Sequence, residues 1–179
     1  MSVLPIRNFG DPVLRQRAPE VTKVTDAQRR LAADMLDTLG VVAGVGLAAP
    51  QVGVLERIFV YEVEDRSGTV INPVIVERSP EMITEEEACL SIPGLAFPVE
   101  RHARVRVEGV DENGDSLVLE GEGLLARVFQ HEIDHLDGVL FIDRLADEDR
   151  KQAMTQLREQ ALGLSPPGRA AQVPSEERL

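Results

Sequence analysis

Apolar positions along the chain fall into two kinds of pattern. In "TDAQRRLAADMLDTLG", Leu31, Met35 and Leu39 recur at helical spacing, Thr25 and Gln28 form a capping box, and Gly40 predicts the C-terminal stop. "GDPVLRQRA" predicts a short helix, with Asp11 as N-cap and Pro12 at the first helical position. From Val54 to Leu119 the pattern changes to short β-like runs, "VLERIFVYEV", "TVINPVIVE", "ARVRVEGV" and "SLVLEG", divided by turn clusters such as "EDRSG" and "DENGD". These predict antiparallel strands. Helical period returns in "GLLARVFQHEIDHLDG", which puts Leu124, Leu125, Val128, His131, Glu132 and His135 on one broad face and Gly138 beyond its end. "VLFIDRL" reads as a last strand and "DEDRKQAMTQLREQAL" as a closing helix with acids in its first turn. "GLSPPGRAAQVPSEERL" has no periodicity and predicts a disordered tail. The expected architecture is α+β: antiparallel sheets packed around one central helix, followed by a C-terminal helix. Residues 1–164 form a single domain and 165–179 the tail.

Composition narrows the picture. Aromatic residues make up 3% of the chain and Trp is absent, so the core must be built from aliphatic side chains. A formal net charge of -12 opposes chain-wide attraction to nucleic acid or anionic lipid. The one cysteine, Cys89, rules out an intramolecular disulfide, and "MSVLPIRNFG" lacks the layout of a signal peptide. Leu39 to Leu55 is the most apolar stretch, but its four glycines, Pro50 and Gln51 interrupt it too often for a membrane helix. A cytoplasmic location is expected.

The chemistry is concentrated in "QHEIDHLDG". Residues four apart on a helix stack on one face, so His131 and His135 can present their ring nitrogens to one divalent ion. Glu132 is then swung aside, where it can meet a water on that ion. The central helix is therefore expected to bind metal. A third ligand is needed. The metzincin continuation H-x-x-G-x-x-H holds through Gly138 but puts Phe141 where the third His belongs. A thermolysin-like site would use Glu148 or Glu159, yet both lie in a charged segment that reads as a solvated surface. His102 is flanked by Arg101 and Arg104, a setting that disfavours another cation. Cys89, in "EEEACLSIPG", is the favoured candidate: a thiolate is a strong ligand for Zn²⁺ or Fe²⁺, and two His with one Cys leave a fourth position open. "GVGLAAP" lacks the endings of a phosphate loop, so nucleotide binding is a weak reading.

Three segments, "GVGLAAPQ" (44–51), "EACLS" (87–91) and "QHEIDH" (130–135), resemble the three motifs of the peptide deformylase family, in the same order, over roughly residues 5 to 160. The resemblance implies a hydrolase that removes the N-terminal formyl group from formyl-methionyl nascent polypeptides and releases formate. It implies Cys89, His131 and His135 as ligands of one divalent ion, with Fe²⁺ favoured and Zn²⁺ or Ni²⁺ as alternatives. It also assigns Glu132 as general base and acid, and the Gln51 amide with the Leu90 backbone N–H as donors to the developing oxyanion. The substrate would lie as an added strand against Val45, Gly46 and Ala88. Val45, Leu124 and Val128 would line a pocket for the methionine side chain, with Arg127 near its rim, and Glu87 would pair with Arg101 to brace the cysteine segment. There are two departures. Ala88 stands where the family usually has Gly, which raises the expectation of an altered strand path or narrower cleft. Some members dock on the ribosome through a basic C-terminal helix, whereas residues 147–164 carry four acids against three bases, which argues against ribosome contact by that route. The rival readings are a zinc endopeptidase and a non-catalytic, metal-stabilised binding protein.

Overall fold

The structure, a computed structural model, describes residues 2–164; the expected tail, 165–179, lies outside them. Three α-helices, α1 (Asp26–Val42), α2 (Gly123–Leu136) and α3 (Asp147–Ala161), are set among seven strands. Strands β1 (Gly46–Ala48), β2 (Ile58–Val63), β3 (Arg66–Arg78), β6 (Arg104–Val110) and β7 (Ser116–Glu122) form an antiparallel sheet in the order β1-β2-β3-β6-β7. β4 (Met82–Cys89) and β5 (Ile92–His102) form a separate antiparallel hairpin. The α+β class is as expected.

Helix α2 lies between the two sheets. Phe129 and Leu136 are fully buried on it, and Phe129 packs against Phe59 and Tyr61 of β2 at ring-centroid distances of 5.9 and 5.1 Å. On the other side of the molecule, Leu95, Phe97 and Val99 of β5 bury themselves with Phe141 and Leu157. Helix α1 packs Met35 and Leu39 against Leu47, Ile58, Val60 and Ile71. Helix α2 is thus held by apolar contact on the side away from its histidines, and its position is set by packing rather than by helix propensity.

Most predicted elements are present. Asp11 caps a 3-10 turn over Pro12–Arg15 by accepting from Val13 N, and Thr25 with Gln28 forms the capping box of α1. Three expectations need correction. Helix α1 passes through Gly40 and ends at Val42, where Ala43 takes the left-handed conformation (φ 52°) and its N–H bonds to Leu39 O; a glycine inside a helix costs only about 1 kcal/mol, which packing readily offsets. Residues 139–145 do not form a strand. Phe141–Arg144 is a 3-10 turn in which Phe141 and Ile142 are both buried and Asp143 accepts from Leu140 N, so the apolar run serves a core corner. Leu124, expected on the inner face of α2, is 42% exposed, while Leu125 beside it is buried. Strand β4, which ends at Cys89, and most of β5 lie outside the predicted β-like runs because "TEEEA" is poor in β-formers and Pro93, Gly94 and Pro98 interrupt the next run.

Candidate metal centre

Two elements build the site. Helix α2 contributes His131 and His135, one turn apart and both buried. The end of β4 contributes Cys89, also buried. Nε2 of His135 lies 3.1 Å from Nε2 of His131 and 3.2 Å from Cys89 Sγ, and the three potential ligand atoms all fall within 4.8 Å of one another. His102, the competing histidine, is held elsewhere by Ser79 O at 2.8 Å, and Glu148 is exposed on α3.

The surroundings fix how these groups face. Nδ1 of His131 donates to Glu87 Oε1 at 2.6 Å, which turns its Nε2 toward His135 and Cys89. Burial alone would raise the Glu87 carboxyl, but hydrogen bonds and charge from His131 and Arg101 outweigh it and hold it well below the usual carboxylate range. The same partners act back on His131. Burial disfavours its cation, yet hydrogen bonds to Cys89 and Glu87 lift the ring well above its ordinary value. His135 goes the other way, lowered by burial and by the charge of His131. The two rings are therefore driven in opposite directions within the same buried cluster. An imidazole pair and a thiol aimed at one point are the donor set that a divalent ion of the Zn²⁺ or Fe²⁺ kind prefers. The residues fit such an ion.

Glu87 accepts from Arg101 Nε (3.1 Å), Arg101 Nη2 (2.6 Å) and Arg127 Nη1 (3.0 Å) as well as from His131. Arg101 Nη1 also reaches Asp134 Oδ2 at 2.7 Å, and Asp134 in turn receives a bidentate contact from Arg144 at 2.6 Å on each oxygen. The expected Glu87–Arg101 pair is thus the centre of a larger network. Arg127, expected near a pocket rim, is instead buried within it.

Beyond the three ligating groups, Glu132 is buried and its Oε2 has no hydrogen-bond partner among the described residues. Burial pushes its carboxyl up to about 7, against the charge of His131. Gly46 of β1 lies directly against Glu132 and Val128, a closeness that any side chain at Gly46 would block. Gln51 is buried and oriented at both ends: Oε1 accepts from Ala48 N at 2.8 Å, and Nε2 faces Ser91 Oγ at 3.3 Å and Cys89 Sγ at 3.6 Å. Leu90 follows Cys89 in the turn to β5, and its side chain rests near Gly44. Ala88 sits on β4 opposite Ala96 without a positive φ, so alanine fits the strand there, and the register shifts between Ala88 and Cys89.

Sequence reasoning missed Ser91, Asp134, Arg144 and the strand carrying Glu87. A signal was available for Asp134: it lies between His131 and His135 on a helix otherwise buried by its apolar neighbours, where a charge needs a partner.

The comparisons agree with this geometry. A family model described as Polypeptide deformylase matches residues 3–151. The peptide deformylase of Acidothermus cellulolyticus is 51% identical over 159 residues, covering 89% of this chain and 88% of that one. Among solved structures, peptide deformylase from Thermus thermophilus superposes with a TM-score of 0.84 at 48% identity, covering 90% of this chain and 96% of the other. Peptide deformylase from Ehrlichia chaffeensis in complex with actinonin gives a TM-score of 0.85 at 38% identity, covering 89% and 98%. No helix among the described residues is long and apolar enough to cross a membrane. With its three motifs brought together at one buried cysteine–histidine cluster, the chain belongs to the peptide deformylase family of enzymes.

Proposed function

We propose that the chain hydrolyses the formyl group from formyl-methionyl nascent polypeptides, at a divalent ion held by Cys89, His131 and His135. The observation that carries this reading is the convergence of those three side chains beside Glu132, whose buried Oε2 has no hydrogen-bond partner among the described residues. When bound, the ion supplies Lewis acidity, which makes a water acidic enough to attack at neutral pH. Glu132 accepts that water's proton and delivers it to the departing amine, work typically worth about 10² to 10⁴ in rate. Its elevated carboxyl, near 7, suits both halves of the transfer. Negative charge then gathers on the formyl oxygen. The Gln51 amide, held with its nitrogen toward Cys89 and Ser91, and the Leu90 backbone N–H donate to it.

β1 pairs only with β2, and β4 only with β5. A peptide can therefore add as a strand against Val45, Gly46 and Ala88. Val45 and Val128 offer apolar surface to its methionine, with Leu124 at the open side. Arg127 serves elsewhere, in the Glu87 network. Actinonin, which the Ehrlichia chaffeensis relative binds, should occupy the same cleft here. Fe²⁺ is the ion proposed in the cell, with Zn²⁺ or Ni²⁺ as substitutes, and the cytoplasm is the proposed location. Helix α3 begins with Asp147, Glu148 and Asp149, so any transient contact with the ribosome would use another surface.

Formate release from formyl-Met peptides by metal-loaded protein prepared without air tests the reading, with an unformylated protein substrate alongside. Formate from the peptide and no cleavage of the protein is the expected result. Untouched formyl peptides would overturn it, and internal cleavage of the protein would indicate an endopeptidase.

A further inference from the structure

The metal centre is split between an α-helix and a hairpin that share no backbone hydrogen-bond ladder, so something must fix the distance between them. Arg127 is buried on α2 one turn before His131, and its guanidinium reaches both strands of the hairpin. Nη2 donates to Ile83 O of β4 at 3.2 Å, and Nη1 donates to Val99 O of β5 at 3.0 Å. Nη1 also donates to Glu87 Oε2 at 3.0 Å, and Glu85 Oε2 of β4 lies 3.6 Å from Nε. Glu87 is two residues before Cys89 on the same strand, and its other oxygen holds the Nδ1 of His131.

We propose that Arg127 is a positioning residue for the metal site, a clasp that sets the spacing between Cys89 on β4 and the two histidines on α2. This rests on the functional reading above and adds to it a residue that touches neither ion nor substrate. Two features support the assignment. A guanidinium carries its donors in a rigid plane, so one side chain can bind two strands and a carboxylate at once in a way no flexible ammonium can. Its acceptors are buried or part-buried, so removing the donor takes a hydrogen bond from each of Ile83 O and Val99 O and one of two donors from Glu87 Oε2. Relaxation would then draw the hairpin away from the helix along the strand that ends in Cys89. Groups that orient metal ligands typically change affinity by about 10- to 100-fold when lost.

The test compares full-length wild type with Arg127→Met and Arg127→Lys, using Co²⁺ as probe. Three readouts are taken: the Co²⁺ dissociation constant by chelator competition, the thiolate-to-cobalt absorption band, and kcat and KM on two formyl peptides that differ in their first side chain. Arg127→Met is expected to weaken Co²⁺ binding by about 10- to 100-fold and to diminish or shift the thiolate band, with Arg127→Lys between it and wild type. The ratio of the two peptides' KM values should stay unchanged. Should Arg127→Met fail to fold, Arg127→Lys carries the test with the same expected direction. Unchanged Co²⁺ affinity and thiolate band in a folded variant would overturn the proposal, whether or not thermal stability falls. A change confined to the KM ratio would also overturn it, returning Arg127 to the wall of the substrate pocket. Failure of wild type itself to bind Co²⁺ or to deformylate would instead defeat the underlying functional reading.

Discussion

Glu132 lies directly over Gly46: a β-carbon at Gly46 would clash with Glu132 Oε1 and stand 2.9 Å from both the carboxyl carbon of Glu132 and Cγ1 of Val128. The absence of a side chain at Gly46 is what lets Glu132, the proposed general base, sit against the strand that would receive the peptide. Gly46→Ala should therefore displace Glu132 while leaving Cys89, His131 and His135 in place. The expected result is a fall in kcat/KM of at least about 10²-fold, the usual worth of a positioned acid–base group, with metal content unchanged. Metal analysis beside steady-state kinetics checks it, and a fully active Gly46→Ala protein would refute the contact.

Burial pushes the Glu132 carboxyl up to about 7, above the ordinary 4.5 it regains on unfolding. The sign follows. Below 4.5 both states hold the proton and the residue is neutral to stability; between 4.5 and 7 the unfolded chain releases it first, so stability falls as pH rises, and above 7 the full cost is present. Glu132→Gln should thus raise the melting temperature of metal-free protein at about pH 8, by an amount that shrinks toward pH 4.5, while nearly abolishing turnover and retaining metal. With Glu132 as the proposed base, activity of the loaded wild-type enzyme should drop as pH falls. The cation adds to the lowering effect of His131 and places that acid limb at or below 7. A Glu132→Gln protein that loses its metal would show that Glu132 has been assigned the wrong task.

How far the sequence revealed this site depends on the residue. His131, Glu132 and His135 were legible because one helix carries all three, and helical spacing is a property of the chain alone. Cys89 was reachable by elimination and by the resemblance, since no local pattern ties a cysteine on one hairpin to histidines on a helix far along the chain. Glu87 to Arg101 came through the resemblance only. Arg127, Asp134 and Arg144 were read as rim or surface, or not at all, because their pairing depends on how the hairpin docks against α2. The fold shows the same division. Capped helices and alternating strands were predicted, whereas the hairpin of β4 and β5, with its glutamates and prolines, takes its form from burial of Phe97, Val99 and Leu95 rather than from β-propensity.

Glu87 gives an acid-stability prediction of opposite sign. Its partners His131 and Arg101 overcome the cost of burial and hold it well below the usual carboxylate range. A group depressed in this way stabilises the fold above its unfolded value of 4.5, and the contribution is lost progressively as pH falls below that. Glu87→Gln should be destabilised at neutral pH, because Arg101 and Arg127 lose their charged partner inside the protein; breaking such a buried pair typically costs about 3 to 5 kcal/mol. The deficit should narrow below pH 4.5 as wild type is protonated. Urea unfolding from neutral pH down to about pH 3.5 checks this, and parallel curves for the two proteins would show that Glu87 contributes no titrating stability.

Metal removal should act on the hairpin and on α2 at once, because the ion would join the end of β4 to α2 across the gap that Arg127 also spans. An ion that binds only the folded chain adds stability by mass action, about 2.7 kcal/mol at a hundredfold excess over its dissociation constant and about 4.1 at a thousandfold. Chelation should lower the melting temperature by an amount that depends on free ion concentration, and re-addition should restore it. Cys89→Ser should abolish most of that increment by replacing a thiolate with a weaker donor, while the ion-free protein melts close to its wild-type counterpart, since Cys89 is a small side chain at the end of its strand. Calorimetry over a range of free Zn²⁺ concentrations tests both statements. If the melting temperature of Cys89→Ser rises with Zn²⁺ as steeply as that of wild type, the third ligand lies elsewhere.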